Sequence, residues 1–256
     1  MIRAILRNAG VRPARLLSAI RSWNRYRRDR ADFRQLAGQS ITWGRELPIL
    51  NEWNESSGSL SPYLLQDLTV ARWIHLDQPR RHVDVGSRLD GFITQVASFR
   101  QIEAIDIRPS PGSVDGIVFH QLNIMEPLPD SWREATDSLS CLHTIEHFGL
   151  GRYGDPLDPA GHLKGLSRLL EIVAPGGWLY LSTPMGPERV EFNAHRVFAA
   201  ATIFNFFEDW KIERFSFIDD KGELHHDPCR DGEAIRQHFG CKLGLAIIAA
   251  RKAKCQ

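Results

Sequence analysis

Between Val83 and Leu181 short apolar runs alternate with runs of helical period, and nothing else in the sequence constrains the fold as tightly. Val83 and Val85 read as a first strand and Phe92–Phe99 as a helix. Ile102–Ile107, Ile117–Leu122 and Leu139–Leu142 read as the next three strands. Asp158-Pro159 opens a helix carrying Leu163, Leu166, Leu169, Leu170 and Val173; Gly176-Gly177 closes it, and Trp178–Leu181 is a fifth strand. A helix over Phe198–Phe207 and two late strands, Lys211–Ile218 and Leu243–Ala249, follow. Strand and helix in alternation imply a mainly parallel sheet covered on both faces. The expected class is therefore α/β, doubly wound, over residues 80–256.

Two segments precede it. Residues 1–45 form a basic, helical N-terminal extension. Ile2, Ile5, Leu6, Leu16, Leu17, Ile20, Trp23 and Tyr26 recur at roughly helical spacing with arginines between them, and Gly10 and Pro13 divide the run. Residues 46–79 are a polar connection and a capping helix. Ser61 reads as the N-cap and Pro62 as the first helical residue, with Leu64, Leu65, Leu68, Ala71 and Ile74 on one stripe.

Composition matters chiefly through its asymmetry. The whole chain carries a formal charge of +1. Residues 1–45 hold eleven arginines, no lysine and two acids, Asp29 and Asp32, for a net +9; the remainder, with 21 bases against 29 acids, carries −8. A basic arm ahead of an acidic body suggests an anionic partner, either a membrane surface or nucleic acid. A protein surface is the plainer alternative. No apolar run approaches the roughly 18–20 residues needed to span a bilayer. Arginines interrupt the N-terminus, which lacks the apolar core of a signal peptide. A cytoplasmic location, with peripheral attachment to the inner membrane left open, is the expectation. Cys141, Cys229, Cys241 and Cys255 form no CxxC pair, so a structural zinc site is not indicated.

The segment His82-Val83-Asp84-Val85-Gly86-Ser87-Arg88-Leu89-Asp90-Gly91 runs from a strand into a glycine-containing turn. Twenty-two residues after Asp84 stands Asp106, at the end of the second strand. In a doubly wound sheet these lie side by side at the ligand crevice, where a carboxylate can accept hydrogen bonds from ribose hydroxyls. Asn123, after the third strand, could meet an adenine edge. A strict G-x-G-x-x-G is absent, since Arg88 and Asp90 take positions that would line a pyrophosphate. A cofactor without phosphate suits this turn better than a dinucleotide.

The chain here resembles the class I, S-adenosylmethionine-dependent methyltransferases. The residues that carry the resemblance are Val83-Asp84-Val85-Gly86, Asp106, Ser140 to His147, and Leu170 to Leu181 with its Pro175-Gly176-Gly177 turn. Asp84 to Gly91, His143 to Pro156 and Phe192 to Phe198 are similar to an uncharacterised bacterial family, domain of unknown function 268, whose members are often associated with surface-polysaccharide synthesis. The resemblance implies a Rossmann-like sheet of seven strands with the last antiparallel. It also implies S-adenosylmethionine as cofactor, held by Asp84, Gly86, Ser87, Arg88, Gly91, Asp106, Ile107, Asn123 and His143. The turn departs from the superfamily in having few glycines.

His143-Thr144-Ile145-Glu146-His147 matches the H-x-x-E-H of one metalloprotease class, but it follows a strand rather than lying within a helix. Some methyltransferases that resemble this chain bind a divalent cation at the same place. Carried over residue by residue, His143, Glu146, His147 and His195 could hold manganese, zinc or magnesium, and a histidine-rich set favours a softer ion than magnesium. Without metal, His147 or His195 could serve as general base. The glycine-punctuated loop from Phe148 to Pro156 offers Arg152, Tyr153 and Asp155 to an acceptor. The expected function is O-methylation of a hydroxyl on a sugar or glycan precursor. An RNA 2′-hydroxyl methyltransferase, with the arm on phosphate, and a non-catalytic scaffold of the same fold are the alternatives.

Overall fold

The computed structural model describes residues 13–50, 52–53 and 55–254, leaving aside the side chains of 13–17. The expected helical positions Ile2, Ile5 and Leu6 and the break at Gly10 lie outside the described residues. The chain divides into two compact units between Ser59 and Leu60.

In the first unit, helix α1 spans Pro13–Ala37. The stretch read as a polar connection is tied to that helix by aromatic and charged contacts. Glu46 accepts hydrogen bonds from Arg30 and, at 3.2 Å, from Arg34. The Arg34 guanidinium lies 4.7 Å from the Trp43 ring centre, and that of Arg25 lies 4.7 Å from that of Trp53. Ile20, Phe33 and Leu36 stay exposed. No helix among the described residues is long and apolar enough to cross a membrane.

The second unit opens with α2, Pro62–Asp77. The Ser61 hydroxyl accepts from Leu64 N at 3.2 Å, satisfying one of the orphan amides of the first turn. Val70, Ala71 and Ile74 of this helix bury against Phe92, Ile93 and Val96 and against Ile247 and Ala249 of the sheet. Strands β1 (Val83–Val85), β2 (Ile102–Asp106), β3 (Ile117–Gln121), β4 (Thr136–Leu142) and β5 (Val173–Met185) are parallel in the order β3-β2-β1-β4-β5. The chain continues through the hairpin β6 (Arg189–Glu191) and β7 (His195–Val197), then β8 (Trp210–Ile218), β9 (Leu224–His226) and β10 (Gly244–Lys252). β10 runs antiparallel between β5 and β8. On the opposite face from α2, helix α4 (Gly161–Ile172) packs Leu166, Leu169 and Ile172 into the larger apolar cluster. A short α3 (Thr94–Ala97) and α5 (Ala200–Asn205) complete the cover.

Three local features differ from the sequence reading. The sheet has eight strands rather than seven, because β9 pairs with Ser216–Ile218. His225 of that strand stacks on Phe217 with ring centres 4.5 Å apart. The helix expected over 92–99 begins as a π-type turn, Leu89–Ile93, because Gly91 adopts φ −125° and ψ −119°. The helix expected from Phe198 starts two residues later, because Phe198 bridges to Met185 beside β5.

Candidate active site

The glycine turn after β1 is organised by a buried carboxylate. Asp84 accepts from Ser87 N and Ser87 Oγ, each at 3.0 Å, and from Ser140 Oγ at 2.5 Å. Ser140 also meets His82 Nε2 at 3.2 Å, and His82 Nδ1 meets Ser138 Oγ at 2.7 Å. Burial drives both ionisable groups toward neutrality, raising the Asp84 carboxyl to about 7 and lowering the His82 imidazole to about 3. Gly86 follows at φ +80°, and a Cβ there would lie 2.2 Å from Thr144 Cγ2. Only glycine satisfies both the backbone and the close approach of the 144 side chain.

A cavity of about 550 Å³, measured with its open mouth, lies at the carboxyl ends of β1, β2 and β4. This is where strand order reverses, the usual ligand site of a doubly wound sheet. Gly86, Asp106, Ile107, Asn123 and His143 all line it, as do His147, Tyr153 and Asp155. The other expected cofactor contacts lie elsewhere. Asp84 is fully buried behind the turn and spends its oxygens on Ser87 and Ser140. Ser87 and Arg88 border an adjoining groove, with Arg88 paired to Asp90 at 2.7 Å. Gly91 sits in the π-type turn near Asp67.

Asp106 reaches the cavity already engaged. Arg108 donates to it from its backbone N at 2.8 Å, from Nε at 2.9 Å and from Nη2 at 2.5 Å. The Arg108 guanidinium also lies 4.7 Å from the Tyr153 ring centre, and that of Arg152 lies 5.1 Å away. The sequence gives no sign that Arg108 would occupy this carboxylate. Asp155 accepts from Gly149 N at 2.8 Å and Gly151 N at 3.2 Å, so it shapes the glycine loop that walls the first cavity.

The segment after β4 carries the site's densest charge. His143 takes φ +52°, a left-handed conformation costly for a side-chain-bearing residue and found disproportionately at functional sites. Its backbone N–H is held by Ser182, through the carbonyl and the hydroxyl, each at 3.0 Å. Ile145–His147 form a single 3-10 turn, not the long helix that metalloprotease chemistry needs. Glu146 is fully buried, and neither carboxylate oxygen accepts a well-directed hydrogen bond. Its charge is met by His143, in ion-pair contact through Nδ1, and by His147 Nε2 at 3.8 Å. Burial pushes the Glu146 carboxyl up, but the two histidines overcome it and hold it below the ordinary value. Burial pushes His143 down, but Glu146 outweighs it and leaves His143 raised. His147 is lowered, burial dominating over Glu146.

The hairpin β6–β7 braces this turn. His147 Nδ1 donates to Ala194 O at 2.7 Å, and Arg152 Nη1 donates to the same oxygen at 2.8 Å. Arg196, nearly fully buried, donates to Phe148 O at 2.6 Å and to Glu146 O at 3.3 Å. His195 itself turns aside, with Nε2 3.4 Å from Glu191 Oε2. It stands outside the cluster of His143, Glu146 and His147, whose ligand atoms lie within 4.8 Å of one another. The expected fourth metal donor is thus not brought to the other three.

A second cavity, about 610 Å³ with its mouth, adjoins the first. His143 lines both. Its other walls include Tyr63, Pro184, His195, Asp219 and Leu243. Tyr63, whose ring centre is 4.8 Å from that of His143, escapes sequence reasoning because it precedes the glycine turn by a whole helix and reads there as ordinary helix surface.

The sheet order β3-β2-β1-β4-β5 followed by an antiparallel β10 between β5 and β8 decides the fold. It is the class I methyltransferase fold. Solved structures agree. The N-methyltransferase NodS from Bradyrhizobium japonicum superposes with a TM-score of 0.50 at 14% identity, over 75% of this chain and 98% of that one. The [4+2]-cyclase SpnF superposes with a TM-score of 0.52 at 18% identity, over 75% of this chain and 81% of that one. A cyclase among the similar structures shows that this fold by itself does not specify methyl transfer. Residues 123–223 match the family described as Caenorhabditis protein of unknown function, DUF268. No functionally curated protein matches the chain in sequence.

Proposed function

We propose that the second unit is an S-adenosylmethionine-dependent methyltransferase acting on a hydroxyl of a sugar or glycan precursor, as surface-polysaccharide synthesis requires. One observation carries the reading: His143 stands at the seam of two adjoining cavities with a buried Glu146 carboxylate behind it. The first cavity has the chemistry to hold the cofactor. Asp106 would accept from the ribose hydroxyls, Ile107 and Leu122 offer apolar walls for the adenine, and Gly86 leaves room at the turn. When bound, S-adenosylmethionine supplies the methyl group.

The chain's own contribution is a positioned base. The Glu146 carboxylate lies in ion-pair contact with His143 Nδ1 and by its charge favours a proton there, which leaves Nε2 as the nitrogen available to an acceptor hydroxyl. A carboxylate behind an imidazole orients the ring and stabilises the imidazolium that forms when a proton is taken. This assigns the base to His143 rather than to His147 or His195. His147 has committed Nδ1 to Ala194 O and turns Nε2 toward Glu146.

A second reading has its own support. His143, Glu146 and His147 present three donor atoms within 4.8 Å of one another, and both Glu146 oxygens lack a directed hydrogen bond. Together they could hold a divalent cation. Calorimetric titration with manganese, zinc and magnesium, on the wild type and on Glu146→Gln, separates the readings: uptake lost in the variant would give the site to a cation.

The test of the function itself is transfer of an isotopically labelled methyl group from S-adenosylmethionine to a panel of glycosides. His143→Ala is expected to abolish transfer while S-adenosylhomocysteine still binds. A wild type that binds neither S-adenosylmethionine nor S-adenosylhomocysteine would overturn the proposal and favour a scaffold role.

A further inference from the structure

The second cavity carries more information about the acceptor than the fold does. Its walls come from the start of α2, the end of β5, the His195 strand, the end of β8 and the turn into β10. Pro62, Pro184, Ile218, Leu243 and Leu245 make most of them apolar. Tyr63 is 55% exposed, so its ring offers a broad face to a ligand beside His143. The polar groups are His143, His195 and Asp219. Among the described residues that line this cavity there is no lysine or arginine, and the one carboxylate is Asp219.

That charge pattern is selective. A phosphate placed there would find no lysine or arginine and one carboxylate, and like charges in a partly enclosed space repel strongly. A protonated amine would have Asp219 alone to balance its charge, and that carboxylate already pairs with His225 Nε2 at 3.1 Å. An uncharged polyol meets neither penalty. Its hydroxyls can pair with Asp219 and the histidines, while the C–H face of a pyranose packs on an aromatic ring and aliphatic walls.

We propose that the second cavity seats an uncharged, non-phosphorylated sugar ring, stacked on Tyr63, with a hydroxyl presented to His143. This rests on the methyltransferase reading and narrows its acceptor. It also argues against an RNA 2′-hydroxyl, whose flanking phosphates would enter a cavity with no lysine or arginine to meet them. Tyr63 becomes a binding residue, and Asp219 becomes the group that excludes anions.

Saturation-transfer NMR on the full chain, with saturating S-adenosylhomocysteine, tests this directly. The probes are neutral methyl hexopyranosides, their 6-phosphates, the 2-amino sugars and a short single-stranded RNA. Neutral glycosides are expected to give saturation transfer, weakened about tenfold or more in Tyr63→Ala and retained in Tyr63→Phe. Thermal melts establish that both variants are folded. Preferential binding of the phosphates, the amino sugars or the RNA would overturn the proposal, as would neutral binding that Tyr63→Ala leaves unchanged. Calorimetry of S-adenosylhomocysteine on the same samples keeps the two levels apart. Cofactor binding without any saccharide signal would sink this acceptor assignment alone, whereas absent cofactor binding would sink the methyltransferase reading.

Discussion

Gly86→Ala is the sharpest test of how the first cavity is built. The residue sits at φ +80°, where a Cβ costs roughly 1–2 kcal/mol. The added methyl would also lie 2.2 Å from Thr144 Cγ2 and 3.0 Å from its Oγ1. Thr144 cannot simply turn away, because it is buried and its hydroxyl donates to Leu142 O at 3.0 Å. Overpacking of this kind typically costs ~1–3 kcal/mol. The expected destabilisation is therefore about 2–5 kcal/mol, read as a lower midpoint in urea unfolding at pH 7. The two contributions can be separated. Thr144→Ser deletes the clashing Cγ2 and keeps the hydroxyl, so the double variant should recover ~1–3 kcal/mol of the loss relative to additive behaviour. S-adenosylhomocysteine binding should weaken in Gly86→Ala and partly return in the double variant, since both side chains line the cavity. A loss under about 1 kcal/mol, or strict additivity of the two changes, would refute the clash argument.

Other outcomes follow from the same geometry. Asp106→Ala should weaken S-adenosylhomocysteine binding by ~1–3 kcal/mol, whereas Arg108→Ala, which frees the carboxylate, should leave affinity equal or higher; equal losses in calorimetry would make Arg108 a ligand instead of a competitor. In histidine-selective NMR titrations His143 should titrate above the ordinary imidazole range and His147 below it. Glu146→Gln should bring His143 down, because burial then loses its main opponent, and an unmoved His143 would remove Glu146 as its partner. For Asp84 the folded carboxyl is raised to about 7, so its contribution to stability is fully present below the unfolded value near 3.8 and is lost as pH rises through 7. Asp84→Asn, which keeps an acceptor for Ser87 N and offers a donor to the serine hydroxyls, should therefore gain stability relative to wild type as pH climbs from 5 to 8. Parallel melting-temperature profiles would contradict that.

Much of the frame can be read without coordinates. Apolar alternation at Val83-Val85 and Ile102–Ile107, with Gly86 and Asp106 at the strand ends, places those two residues at one rim through topology alone. The period of a strand or helix is a local property of the chain, and the parallel order then follows from how such units pack. The N-cap at Ser61 is legible for the same reason, being a bond between residues three apart.

Side-chain meetings across the fold are a different matter. Tyr63 comes to His143 only because α2 docks on the sheet. Arg108 takes the Asp106 carboxylate, His195 turns to Glu191, and His225 stacks on Phe217 to make an eighth strand. Each choice is a small difference among competing contacts, settled by packing and desolvation once the backbone is in place. Sequence spacing carries the period of an element, so it determined the sheet and its rim. It carries nothing about which distant side chain will lie within 5 Å, so the second cavity and the pairing that arms His143 were decided by tertiary structure.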